Sequence, residues 1–292
     1  MKLIDHSKVL KRMKPRRTKN IILRAMFFCA TMVGLVVLGI LFYRVLTQGI
    51  GYLDLQFLQS LPSRKPEQAG VYTALIGTVW LMAVVAPVSL LIGVGTAIYL
   101  EEYASKNKFT AFIKLNISNL AGVPSIVFGL LGLTLFVRAM SLGTSVLAAG
   151  LTMSLLVLPV IIVASQEAIR SVPNELREAS LGMGATKWQT IVRVVMPAAI
   201  PGILTGGILA LSRAIGETAP LVVLGLPLFL AFLPKTVFDM FTVLPMQIYN
   251  WTGRPQEAFQ DLAAAGIIVL LALLIIMNSV AVLIRNKFQK RY

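Results

Sequence analysis

Two charged residues interrupt a stretch that is otherwise free of charge: Arg213 and Glu217, within PGILTGGILALSRAIGETAPL, Pro201 to Leu221. An arginine fork suits a tetrahedral oxyanion, because its planar donors reach two oxygens at once. A carboxylate nearby keeps such a site from holding the anion too tightly and competes for the arginine when the path is empty. The plainer reading is that the two residues, four apart, satisfy each other and only hold the structure together. Arginine before glutamate is the less favourable order for a helical pair, which argues that each has another partner.

Other reactive chemistry is scarce. One cysteine, Cys29, and one histidine, His6, exclude a disulfide framework and a His/Cys metal cluster within one chain. They read as a lipid-facing or packed thiol and a solvated tail residue. No Gly-Lys dipeptide occurs, so no G-x-x-x-x-G-K-[ST] loop can cradle a nucleotide here. No nucleophile, base and orienting residue converge in sequence either, and no catalytic residue is expected.

The elements that hold the charged pair are membrane helices. Hydrophobic residues make up 57% of the 292 and charged residues 13%, with a mean hydropathy of +0.81, far outside the range of soluble domains. The chain is expected to be all-α and polytopic. Charge-free runs near the roughly 20 residues that cross a bilayer occur at about Ala25 to Tyr43, Val71 to Leu100, Leu115 to Val137, Ala139 to Gln166 and Leu262 to Ile284. A sixth span, Pro197 to Leu226, carries Arg213 and Glu217. The first run is too long for a cleavable signal peptide and reads as a retained anchor.

Lysine and arginine accumulate on the cytoplasmic side of short loops. The basic residues crowd residues 1–24, the connections after the second and fourth spans (Lys106, Lys108 and Lys114; Arg170, Arg177, Lys187 and Arg193) and the C-terminal end (Arg285, Lys287, Lys290 and Arg291). Both termini are therefore expected in the cytoplasm, and the net charge of +15 reflects anchoring to membrane lipid, with no nucleic-acid partner. The expected organisation is a basic N-terminal segment at 1–24, a transmembrane domain at 25–285 and a basic tail at 286–292.

A helical wheel centred on Gly206 places Arg213 at about −20°, Glu217 at about +20°, Gly202 at about −40° and Ala210 at about +40°. Small residues at this spacing let membrane helices approach closely. The charged pair then faces protein or a water-filled path. Arg213 lies about 24 Å beyond Pro197 along a helix, near or somewhat past the midplane, and a charge at that depth is a functional hypothesis by default.

The longest cytoplasmic connection, about 166–196, holds EASLGMGATKWQTIVRVVMP, Glu178 to Pro197. Pro173 and Asn174 signal a helix start and Gly184 breaks the run. A second short helix leads to Pro197. The expectation is a helix-turn-helix knob across the end of the bundle, with an apolar face for the bundle and a small-residue patch for something else; the alternative is a solvated connector.

Glu178, Ala179 and Ser180, then Gly184, Val194, Met196 and Pro197, resemble the EAA signature of ABC importer permeases, with serine, valine and methionine replacing alanine, isoleucine and leucine. The resemblance implies a type I ABC importer permease fold and a loop that docks on a cytoplasmic ATPase. It gives Glu178, Ala179, Ser180, Gly184 and Pro197 that coupling role. SRAIGETAPL, GTAIYLEEYA, AGVPSIVFGL and FTVLPMQIYNW resemble, from about residue 70 onward, the PstA family, one of the two permease subunits of the bacterial phosphate importer. That resemblance implies inorganic phosphate as cargo and Arg213 and Glu217 on its path. It also implies a heterodimer with the related permease PstC, two copies of the ATPase PstB, and the phosphate-binding protein PstS. ATP and Mg would be bound by the ATPase, and no cofactor by this chain. The setting implied is the bacterial inner membrane.

Several features keep open readings. Gly122, Pro124 and Ser125 suit helix initiation, with a path-lining role as the alternative. Glu101 and Glu102 are read as a solvated cytoplasmic turn, the alternative being gating or docking. The outer segment, about 227–261, reads as partly re-entrant or interfacial, either a landing surface for a binding protein or simple packing on the bundle. At the level of function, a permease for another oxyanion, a secondary transporter or channel, and a non-transporting scaffold remain rivals. Against the second stand the docking loop and the lack of a second charged, broken span.

Overall fold

A computed structural model describes residues 6–288; the outermost residues of both basic tails, 1–5 and 289–292, lie outside the described residues. Helix α1 (His6–Gly49) runs unbroken from the basic segment into the apolar run, so no element boundary falls at residue 24. A short α2 (Leu55–Gln59) follows, its N-cap Asp54 accepting from the Phe57 amide. Helix α3 (Tyr72–Ile98) ends in a wide π turn, Tyr99–Tyr103. Helix α4 (Lys108–Leu120) starts at Asn107, whose side chain accepts from the Thr110 amide. Helix α5 (Ser125–Gly132) continues as a π turn over Leu133–Ala139. Helix α6 (Val146–Arg170) starts where the Ser145 hydroxyl accepts from the Ala148 amide.

Beyond α6 come α7 (Asn174–Gly182), α8 (Lys187–Thr190), a π turn at Ile191–Val195 and α9 (Met196–Gly216). Helices α10 (Ala219–Val223), α11 (Leu244–Thr252) and α12 (Glu257–Phe288) complete the chain. Among the described residues there is no β-strand, only an isolated bridge between Ser145 and Met240.

Among the described residues five helices are long and apolar enough to cross a membrane, and the count reaches six where the bent pair α4 and α5 is taken as one broken span. This corrects the single span expected at Leu115 to Val137: the chain bends by 102° between Leu120 and Ser125. Pro124 is the cause, since its ring disfavours helical backbone in the residue before it while its own fixed φ suits the cap of α5. The other correction concerns α9. Helix α8, its π turn and α9 form one continuous rod from Lys187 to Gly216, so Pro197 lies within a helix and not at its entry. The π turn precedes Pro197, which cannot donate an amide hydrogen to the ladder and crowds the carbonyl four residues back.

Helix α6 is the centre of the bundle. In its most apolar stretch 67% of residues are buried, against 6% for α12 and none for α1. Glycines set the closeness of the packing. A Cβ on Gly93 of α3 would meet Ile161 of α6 at 2.7 Å, and one on Gly202 of α9 would meet Ala168 of α6 at the same distance. Gly206 lies still closer, against Ala164. The small-residue face of α9 therefore packs against α6 as its spacing implies. Val85, Met153, Ile161, Ala210, Phe241 and Met246 form the middle of the core.

The segment expected at 227–261 is largely packed onto the bundle. In α11, Leu244, Met246 and Trp251 are buried, and the Leu244 amide donates to the Thr78 hydroxyl of α3. Trp251 also lies beside Phe57 of α2, with ring centroids 5.9 Å apart. Phe229, Phe232 and Phe238 remain exposed. Gly49, the end of α1, abuts Ala264 and Ala265 near the start of α12, so the first residue of α1 and the last of α12 lie toward the end of the bundle that carries α7.

Candidate functional site

Arg213 occupies the last turn of α9, and Glu217 is the residue just beyond it, in extended conformation. The helix stops here because Pro220 cannot donate to Gly216 and its ring would crowd the Gly216 carbonyl if the helix ran on. The wheel that placed both charges on one helical face holds for Arg213, while Glu217 reaches back from outside the helix. Arg213 Nε donates to Glu217 Oε1 at 3.1 Å. The two residues thus satisfy each other, as in the plainer sequence reading. Among the described residues the Nη1 and Nη2 groups of Arg213 have no protein partner, which leaves one edge of the fork available to bind two oxygens.

The surroundings are apolar. Arg213 lines a narrow pocket with Leu120, Ala121 and Val123 of the elbow, Phe128 of α5, and Val157 and Val160 of α6. The last two stand near the midpoint of α6, so the guanidinium lies at mid-depth. Its side chain is 61% exposed and that of Glu217 only 20%. A charge open at mid-depth cannot face hydrocarbon without a large cost, so this flank faces a partner or water. The elbow that begins with Gly122 and Pro124 both initiates α5 and walls this pocket.

The other site residues lie at the α7 end. Helix α7 closes with Gly184 at φ +86°, the Gly184 amide donating to Leu181 and the Ala185 amide to Ser180. This is a Schellman termination, which needs a left-handed residue after the cap and favours glycine there. Thr186 and Gln189 then form a capping box at the start of α8. The Ser180 and Thr190 hydroxyls lie 3.0 Å apart, pinning the two short helices together. Glu178, Ala179 and Gly184 are exposed, and Met183 at the tip is 89% exposed. The structure therefore brings Glu178, Ala179, Ser180 and Gly184 into one projecting turn. Pro197 stands apart, half-buried in α9.

The apolar face expected of the knob is supplied by its second part, where Ile191 and Val195 are buried, and not by α7. Leu176 is exposed, and a polar tie holds the helix. Arg177 donates to the Ile169 and Val172 carbonyls at the end of α6, to Asn174, and through Nε and Nη2 to Glu102 at 3.2 and 3.1 Å.

Glu101 and Glu102 correct the reading of a solvated turn, for their side chains are only 12% and 11% exposed. Glu101 accepts from Lys114 of α4 at 2.7 Å, from Gln166 at 3.1 Å and from Arg170 at 3.0 Å. Two adjacent acids in a basic region are visible in the sequence. Their partners in α6 and α7 are 65 to 75 residues away, and no local pattern points to them.

Residues 89–291 match the family described as binding-protein-dependent transport system inner membrane component. The chain is 35% identical over 278 residues to phosphate transport system permease protein PstA 1 of Mycobacterium tuberculosis, covering 92% of this chain and 90% of the relative. It is 38% identical over 252 residues to the PstA protein of Mycobacterium leprae, covering 83% and 81%. With the PstA protein of Haemophilus influenzae it shares 31% over 264 residues, covering 90% and 92%. Among solved structures, a chain of a bacterial alginate ABC transporter in complex with a periplasmic protein aligns with a TM-score of 0.66 at 16% identity, over 92% of this chain and 96% of that one. A chain of the MetNI methionine ABC transporter aligns with a TM-score of 0.57 at 17% identity, over 73% and 94%. These two likenesses concern the fold.

Proposed function

Because the chain belongs to the binding-protein-dependent transport system inner membrane component family, and is thus a multi-pass, non-hydrolysing permease subunit of an ABC importer, we propose that it carries inorganic phosphate into the cell. The relatives named as phosphate transport permeases support the cargo. The single observation that carries the proposal is the half-free guanidinium of Arg213, at mid-depth in a charge-free bundle, with Glu217 on its other edge. A planar double donor fits a tetrahedral oxyanion, and the carboxylate supplies a competitor that releases it.

The complex we infer contains PstC as the second permease, covering the open flank of Arg213, two copies of the ATPase PstB, and the binding protein PstS delivering phosphate from outside. In this arrangement the α7 end and both termini face the cytoplasm, as the basic residues favour. The turn around Gly184, with Glu178, Ala179 and Ser180, seats on the ATPase, while ATP and Mg are held there. Closure of the ATPases pushes the turn, and the Arg213 region opens alternately to the two sides.

Uptake into proteoliposomes tests this, with the complex reconstituted, ATP inside and binding protein outside. ATP-dependent phosphate uptake that excess sulfate does not suppress is the expected result. Uptake without ATP overturns the coupling, and ATP-dependent uptake of a different anion overturns the cargo.

A further inference from the structure

We propose that Glu101, Glu102 and Arg177 are positioning residues that tie the projecting turn at Gly184 to the α4–α5 elbow beside Arg213, so that motion of one end reshapes the other. The inference rests on the importer reading above.

The tie begins at α7. The Arg177 guanidinium bridges three elements at once: its own helix through Asn174, the carbonyls of Ile169 in the last turn of α6 and of Val172 just beyond it, and Glu102 in the π turn after α3. Such a planar fork holds angle as well as distance. Glu102 and Glu101 are consecutive in the π turn that ends α3. They diverge, Glu102 toward α7 and Glu101 toward α4 and α6. A displacement of Arg177 therefore reaches Lys114 through two neighbouring residues of one turn.

Lys114 is the lever point of α4. Most of this helix is exposed, with only Thr110, Ile113, Lys114 and Ile117 half-buried, so few apolar contacts hold it in place. It is a rigid rod of 13 residues. Its far end, Leu120, and the elbow residues Ala121 and Val123 wall the pocket of Arg213. The elbow itself is lightly held. A Cβ on Gly122 would meet only the Asn119 carbonyl oxygen, at 3.4 Å, and two backbone hydrogen bonds, from Gly122 to Asn119 and from Val123 to Leu120, hold the bend. Pulling α4 at Lys114 carries Leu120 with it and turns the backbone at Gly122, which shifts the wall at Arg213. Linkage of this kind needs an element with two arrangements that both sites bias, and α4 is the element that touches both ends, at Lys114 and at Leu120.

The test uses the reconstituted complex with Glu101→Gln and Glu102→Gln, which keep shape and remove charge. ATP hydrolysis is retained, while phosphate moved per ATP falls about fivefold or more, the lower end of the range for linked sites. Glu102→Asp restores part of the ratio. A static brace lowers hydrolysis and uptake together and leaves the ratio unchanged, and that result overturns the proposal. A second readout is independent of cargo. Spin labels replace Phe109 of α4 and Leu209 of α9, both exposed, in a Cys29→Ser background. Trapping nucleotide shifts the distance between them in the otherwise native chain, and Glu102→Gln abolishes the shift. No shift in the native chain overturns the linkage. A native complex that shows the shift but moves no phosphate overturns the importer reading alone.

Discussion

At the scale of single residues, the weight falls on Arg213, because its exposure separates function from stability. Arg213 reaches Glu217 through one nitrogen only, and among the described residues the rest of its guanidinium makes no polar contact that holds the fold. Arg213→Ala therefore leaves assembly and thermal stability of the complex nearly unchanged while phosphate uptake is lost. Arg213→Lys keeps the charge and loses the fork, so it restores less than a tenth of the native rate, on the order of the 1.4 kcal/mol that a lost charge-assisted hydrogen bond represents. Uptake and melting measured on the same preparations decide the matter. A variant that transports normally removes Arg213 from the path, and one that fails to assemble makes the pair a brace. The residue was legible in the sequence because a charge inside an apolar run has few bland explanations. Its pairing with Glu217 was legible too, as the plainer reading, whereas the end of the helix at Gly216, ahead of Pro220, was not.

At the scale of elements, local chemistry was readable wherever a backbone rule applied. Gly184 announced the end of α7, and the Schellman geometry follows from its left-handed backbone. Pro124 was read as a helix start, yet the 102° bend it permits was missed because Leu115 to Val137 carries no charge, and lack of charge alone does not register the polar Asn116, Ser118 and Asn119 before the bend. The tie made by Arg177 was missed for a different reason: it joins residues far apart in the chain, and only the fold brings them together. The turn at Gly184 yields a graded prediction. At φ +86° an L residue costs about 1–2 kcal/mol, while asparagine tolerates this conformation better. A Cβ there meets open space, so the strain is purely of the backbone. Gly184→Asn keeps most co-purification of the ATPase, Gly184→Ala lowers it, and Gly184→Trp, adding bulk at the docking surface, lowers it furthest. Equal retention by all three removes the turn from the docking contact.

At the scale of the whole molecule, the described helices divide into a packed bundle and a flanking pair. Helices α3, α6, α9 and α11 share the buried core and the first turns of α12 are buried beside Trp251, whereas the most apolar stretch of α1 buries no residue and that of α12 very few. In lipid this division carries no penalty, because apolar side chains gain nothing by leaving hydrocarbon for another helix. The joint between α1 and α12 then depends on close approach at one place. A Cβ on Gly49 would come within 2.7 Å of backbone atoms of Ala264 and Ala265, and backbone cannot step aside as a side chain can. Gly49→Leu accordingly pushes α1 away from α12 while the bundle stays folded. The thermal transition of the purified complex moves by a few degrees at most, on the scale of about 1 kcal/mol in a domain of this size. A spin label on Leu46, half-buried in the native chain, becomes markedly more mobile in the variant. Loss of the whole folded bundle in Gly49→Leu would instead show that α1 belongs to its core, and an immobile label would show that α12 bends to follow.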